Sequence, residues 1–210
     1  MLTEYRTITN FGQDEIIIEK STFIGYAKPV TNEEEALAFI QEIKKKHRDA
    51  THNVPAYVLG ENNEIQRWND DGEPSGTAGV PVLEVLKKED VRNVAVVVTR
   101  YFGGIKLGTG GLVRAYTKGA KIALEAAGIV RQVLYQVMSL SIEYTLLGTV
   151  QNQLRLQQYE VKEIVYDEFV HLHVWVHAEK TAEFRDFCIE LTNGKGIIAE
   201  QGLAYRTETI

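Results

Sequence analysis

The sequence predicts an α+β protein in two domains, residues 1–132 and 133–210. Three observations predict it. Val94-Ala95-Val96-Val97-Val98 is an unbroken, largely β-branched run, the composition of a central strand, and the best helix pattern in the chain, 110–127, follows it. All four prolines lie in the first 81 residues and eight of the 17 glycines lie between 72 and 111, after which punctuating residues become scarce. From about residue 134 the pattern alternates as strand, helix, strand, strand, helix, strand. The charge changes at the same place. The first 132 residues carry 17 Lys+Arg against 18 Asp+Glu, and the remainder carry 6 against 11.

Each element has its own signal. Residues 15–19 and 23–27 read as two strands around a Lys20-Ser21-Thr22 turn. Thr31 reads as the N-cap of a helix: Glu33, Glu34 and Glu35 suit its positive end and Lys44, Lys45 and Lys46 its negative end. Leu37, Ile40 and Ile43 give that helix an apolar stripe. Residues 56–59 and 64–68 bracket Gly60-Glu61-Asn62-Asn63 as a hairpin, and 81–88 makes a short helix. In the second domain the strands are 137–145, 160–167, 169–177 and 197–204, and the helices 147–157 and 180–192. Asn193-Gly194 is placed to cap the second of these helices. This βαββαβ order is the split-βαβ, ferredoxin-like arrangement.

Composition excludes several function classes. The chain is 44% hydrophobic, enough for a packed core, so it is not wholly disordered. No apolar run approaches the roughly 18 residues of a membrane span. The first residues lack a basic stretch followed by an apolar one, so no signal peptide is expected. The single cysteine, Cys188, makes no internal disulfide and supplies little of a metal site. A cytoplasmic protein is expected. The net charge of −6 argues against a nucleic-acid coat, but an average conceals patches.

One patch stands out. From Val91 to Leu124, 34 residues contain Arg92, Arg100, Lys106, Arg114, Lys118 and Lys121 and no acidic residue. Within it the predicted strand runs into a glycine-rich turn that opens the long helix. Gly108, Thr109, Gly110 and Gly111 there bring backbone N–H groups close to a ligand, at the positive end of the helix dipole. Arg114, Lys118 and Lys121 form one stripe of that helix, and Leu112, Tyr116, Ala120 and Ala123 the opposing apolar stripe. The stretch matches neither a phosphate-loop consensus nor the dinucleotide spacing. It reads either as a solvated helix face after a tight turn or as an anion-binding surface with RNA as the natural ligand. On the second reading Arg100, Lys106, Arg114 and Lys118 contact phosphates.

A second unusual stretch is Asn69-Asp70-Asp71-Gly72-Glu73-Pro74-Ser75-Gly76-Thr77-Ala78-Gly79. Asp70, Asp71 and Glu73 supply oxygen ligands for Mg²⁺ or an acid–base pair. Equally, they form a turn in which Asp side chains accept from backbone N–H groups and Gly72 supplies positive φ, with Ser75 or Thr77 capping the next helix. His52 precedes a strand and is a candidate to line a cleft. His171, His173 and His177 share a strand face with Trp175 and read as a wet open face, not a metal site. No catalytic nucleophile is expected: Cys188 lies inside an amphipathic helix and there is no Gly-x-Ser-x-Gly elbow.

These stretches resemble the IMPACT family of small two-domain proteins, bacterial YigZ-type members among them. The resemblance rests on Lys20-Ser21-x-Phe23, His52, the 69–79 string, and Arg100-Tyr101-Phe102-Gly103-Gly104-x-Lys106-Leu107-Gly108-x-Gly110-Gly111-Leu112-x-Arg114-Ala115-Tyr116. It implies an N-terminal domain like domain 2 of ribosomal protein S5. It also implies a C-terminal ferredoxin-like domain similar to the last domain of translocation elongation factors. Eukaryotic relatives regulate translation with a further N-terminal domain for which these 210 residues have no room, so that role is not carried over. The expectation is a translation-linked binding protein that engages RNA or a ribosome-associated protein, with no membrane partner and no cofactor; whether it also catalyses a reaction is left open. The alternative is an enzyme on a small phosphorylated substrate, with Mg²⁺ held by Asp70, Asp71 or Glu73 opposite the basic loop.

Overall fold

A computed structural model describes residues 1–210 and divides into two compact units, Met1–Gln132 with Glu208–Ile210, and Val133–Thr207. Both are mixed α/β units built on antiparallel sheets.

In the first unit, β1 (Glu4–Ile8) is tied by the Arg6 carbonyl to the Arg92 N–H, 3.0 Å. β2 (Gly12–Ile18) and β3 (Ser21–Pro29) form a hairpin whose two-residue turn is Glu19-Lys20, both at positive φ. A two-residue loop with positive φ at both positions matches the twist of its strands, which is why the turn sits one residue earlier than Lys20-Ser21-Thr22. α1 (Glu33–Lys46), β4 (His52–Leu59), β5 (Ile65–Trp68), α2 (Gly79–Lys88), β6 (Val94–Tyr101) and α3 (Gly108–Ala127) follow. The sheet order is β2-β3-β6-β4-β5. β6 is central and Val94 to Val98 are completely buried, because helices cover both sheet faces. α2 and α3 pack on the face carrying Phe23, Val54, Val96 and Val98, and α1 packs on the face carrying Ile24, Tyr26, Tyr57 and Val97.

The cap of α1 is Asn32 and not Thr31. The Asn32 side chain accepts from the Glu35 N–H at 2.9 Å. The Glu35 carboxylate accepts in turn from the Thr31 N–H at 2.7 Å, which lowers its pKa. Leu37 is exposed, and the buried stripe is Ala36, Phe39, Ile40 and Ile43. Asn32→Ala removes the acceptor for an end-of-helix N–H and is expected to cost about 1 kcal/mol, read by chemical unfolding.

In the second unit, β7 (Ile129–Ile142), α4 (Leu147–Leu156), β8 (Glu160–Tyr166), β9 (Val170–His177), α5 (Thr181–Leu191) and β10 (Ile197–Thr209) run in βαββαβ order. Its strand order is β10-β7-β9-β8. Leu172, Val174 and Val176 of β9 are fully buried with Phe184 and Cys188 of α5, whereas His171, His173 and Trp175 are half-buried on the opposite face and His177 is exposed. Burial pushes the Cys188 thiol up to about 12, so it is an inert core group. Asn193 and Gly194 both adopt positive φ, and the Gly194 N–H returns to the Ile189 carbonyl at 2.8 Å to close α5.

Candidate functional site

Strand register builds the site. Phe23 of β3 and His52 of β4 both lie opposite Arg100 of β6, so the three side chains stand in one row on the face that α2 and α3 cover. Arg100 continues the parity of Val96 and Val98 and is therefore drawn inward. It is 5% exposed, and its guanidinium lies between the rings of Phe23 and Phe102, 5.5 and 5.4 Å from their centroids. A cation buried this far requires a counter-charge. Glu73 provides it: its Oε1 accepts from Arg100 Nη1 at 2.6 Å and from the Tyr116 hydroxyl at 2.7 Å. Tyr116, on α3, is completely buried edge-on against Phe23. Burial and the bond to Glu73 raise its pKa far above the ordinary phenol range, so it is a neutral donor at any physiological pH.

The loop before Glu73 is an orienting device. Asp70 accepts from three backbone N–H groups, of Gly76 at 2.8 Å, Ala78 at 3.2 Å and Gly79 at 2.8 Å. It thereby caps α2 from a distance, the task assigned by sequence to Ser75 or Thr77. Asp71 accepts from the Asn53 N–H at 2.6 Å and from Lys44 Nζ at 2.7 Å. Asp71 and Gly72 both take positive φ, which reverses the chain and turns Glu73 inward. The three carboxylates therefore do not converge. Asp70 and Asp71 are spent on the loop, and Glu73 alone enters the site, where Arg100 and Tyr116 occupy it. This donor set does not fit a Mg²⁺ ion shared among them.

A cavity of about 390 Å³ lies over this cluster, lined by Thr51 and His52, Glu73 and Pro74, Arg100 and Phe102, Lys106 to Thr109, and Leu112. One wall is the start of α3. No side chain caps that helix and its first turn holds no acid, so its leading N–H groups are without protein acceptors from a cap. Lys106 is exposed at the edge of the cavity, and Phe102 is half-exposed. His52 Nδ1 lies 2.7 Å from the Asp71 carbonyl oxygen and its Nε2 3.7 Å from Glu73 Oε1.

Of the residues singled out by sequence, the cavity brings together His52, Glu73, Arg100, Lys106, Gly108 and Thr109. Gly110 and Gly111 are in the first turn of α3 and do not line it. Arg114 and Lys118 are exposed further along the helix, with Lys121 on the same row. A Cβ added to Gly110 would meet Arg114 Nη1 at 3.6 Å, so that guanidinium reaches back over the first turn. Arg100 is not a free phosphate contact, because its charge is balanced by Glu73. By its spacing Tyr116 belongs to the apolar stripe of α3. Its hydroxyl was the signal for more, since a buried tyrosine needs a hydrogen-bond partner.

Both units match known families. The Impact N-terminal domain matches residues 19–124, and a domain of unknown function, DUF1949, matches residues 140–195. The chain belongs to the IMPACT family. It is 51% identical over 210 residues to the IMPACT family member YvyE of Bacillus subtilis, covering 100% of this chain and 97% of that one. It is 37% identical over 179 residues to the member YigZ of Escherichia coli, covering 84% and 88%. Protein IMPACT of Danio rerio is 38% identical over 100 residues, 45% of this chain and 31% of that one. A crystal structure described only as that of an hypothetical protein is similar with a TM-score of 0.61 at 32% identity, over 96% of this chain and 100% of the other.

Proposed function

We propose that this chain is a translation-linked binding protein of the cytoplasm whose first unit engages single-stranded RNA. The observation that carries the reading is a row of exposed cations along one helix that starts at the cavity. The uncapped start of α3 and Lys106 border the cavity, and Arg114, Lys118 and Lys121 continue along the same helix without an intervening acid. Such a row follows a phosphate backbone, while the half-exposed Phe102 offers a base a stacking surface. The likeness to ribosomal protein S5 domain 2 and, in the second unit, to the last domain of translocation elongation factors is part of this proposal. So is a ribosome-associated protein as a further partner. No helix is long and apolar enough to cross a membrane.

Binding of a labelled single-stranded RNA, measured against salt, tests the reading. Four phosphate contacts predict a slope of log affinity on log salt of about −3. Arg114→Glu combined with Lys118→Glu is expected to weaken binding at low salt and to flatten the slope by about 0.7 for each contact removed. A flat salt dependence for the wild-type chain would overturn the proposal.

A further inference from the structure

Phosphate binding leaves one group in the cavity without a task. His52 Nδ1 is 2.7 Å from the Asp71 carbonyl oxygen, and a carbonyl only accepts, so Nδ1 carries the hydrogen. In the neutral form of the ring the lone pair is then on Nε2, on the side of Glu73 and Arg100, which line the same cavity. No protein hydrogen bond uses Nε2, and 3.7 Å separates it from Glu73 Oε1, which is already taken by Arg100 and Tyr116. The strand register holds His52 beside Arg100, and the Asp71 carbonyl fixes the ring, so this nitrogen is oriented without being consumed. Arg100 Nε is buried with no acceptor, and only Nη1 of that guanidinium is bonded.

A fixed imidazole that lines one cavity with Lys106 and a helix N-terminus is a base beside an anion cradle. RNA is the phosphodiester that carries its own nucleophile, and its cleavage requires a base, a cradle and water. Resting on the RNA reading above, we propose that this cleft cleaves single-stranded RNA by internal transesterification, with His52 as the general base. His52 Nε2 takes the proton of a ribose 2′-hydroxyl. The 2′-oxygen forms a bond to the adjacent phosphorus and the bond from phosphorus to the 5′-oxygen breaks. The departing oxygen takes a proton from water, and the resulting hydroxide recovers the proton from the imidazolium. The products are a 2′,3′-cyclic phosphate and a 5′-hydroxyl. The N–H groups at the start of α3 and Lys106 face the charge that builds on the phosphoryl oxygens.

The test uses the full chain in EDTA with an end-labelled single-stranded RNA and its 2′-O-methyl counterpart. Binding of both is expected, with cleavage of the unmodified strand alone and cyclic phosphate at the new end. His52→Asn keeps a donor for the Asp71 carbonyl, and its thermal melt reports that it folds. It is expected to bind RNA within about threefold of wild type and to cleave at least 100-fold more slowly. RNA bound but left intact by the wild-type chain overturns the activity and leaves the binding reading in place. Failure to bind overturns both. Cleavage of the 2′-O-methyl strand, or undiminished cleavage by His52→Asn, overturns the assignment of His52.

Discussion

Glu73→Ala is expected to destabilise the first unit by about 3–5 kcal/mol, the effect of removing one partner from a buried ion pair. The loss would have little to do with the carboxylate's own attractions. Arg100 would stay buried and charged, with Nη1 joining Nε as a nitrogen without an acceptor, and the Tyr116 hydroxyl would be stranded in the core. Glu73→Gln keeps an acceptor but loses the charge, so it is expected to fall between wild type and alanine. Asp70→Ala strips one acceptor from three backbone N–H groups nearer to solvent and should cost about 1–2 kcal/mol. Denaturant unfolding followed by tryptophan fluorescence in a Trp175→Phe background reads the first unit alone, since Trp68 lies in the first unit and Trp175 in the second. A loss below about 1 kcal/mol in Glu73→Ala would mean that Arg100 finds water or another acceptor.

That pair also marks where the sequence was legible and where it was not. The regular elements were readable because their periodicity follows directly from burial. The 94–98 run is central, and the basic and apolar stripes of α3 face opposite ways. In the second unit plain alternation predicted six elements in their observed order. The loop at 69–79 was not readable in the same way. Asp70, Asp71 and Glu73 are alike in charge and adjacent in sequence, yet two serve the loop and one serves the cavity. The difference lies in positive φ at Asp71 and Gly72, a local geometry with no periodic signature. Arg100 escapes a sequence reading for another reason. A cation in an acid-free stretch suggests a ligand contact, but strand parity with Val96 and Val98 already pointed it at the helices. Its acid lies 27 residues upstream, outside the acid-free stretch. Asn32 in place of Thr31 is a one-residue shift between two good caps, which only the side-chain bond to Glu35 decides.

The second large effect is expected at Gly25, which does not line the cavity. A Cβ there would sit 2.1 Å from the Gly119 carbonyl oxygen and 3.0 Å from the Ala123 Cβ. The nearest obstacle is helix backbone, which cannot rotate aside as a side chain does. Gly25→Ala must therefore lift α3 from β3, and the expected loss is about 3 kcal/mol, the upper end for an overpacked core. The displacement matters for function, because α3 carries the N–H groups at the cavity and the whole Arg114, Lys118 and Lys121 row. Gly108→Ala is the informative contrast. Gly108 lies at φ +67 with open space around it, so alanine there brings only left-handed strain, about 1 kcal/mol. Unfolding should thus rank Gly25→Ala well below Gly108→Ala, and RNA affinity should fall for Gly25→Ala at temperatures where it remains folded. Equal losses at the two positions would mean that α3 rides freely over the sheet. The cradle over Glu73 and Arg100 would then owe its geometry to something other than backbone contact between α3 and β3.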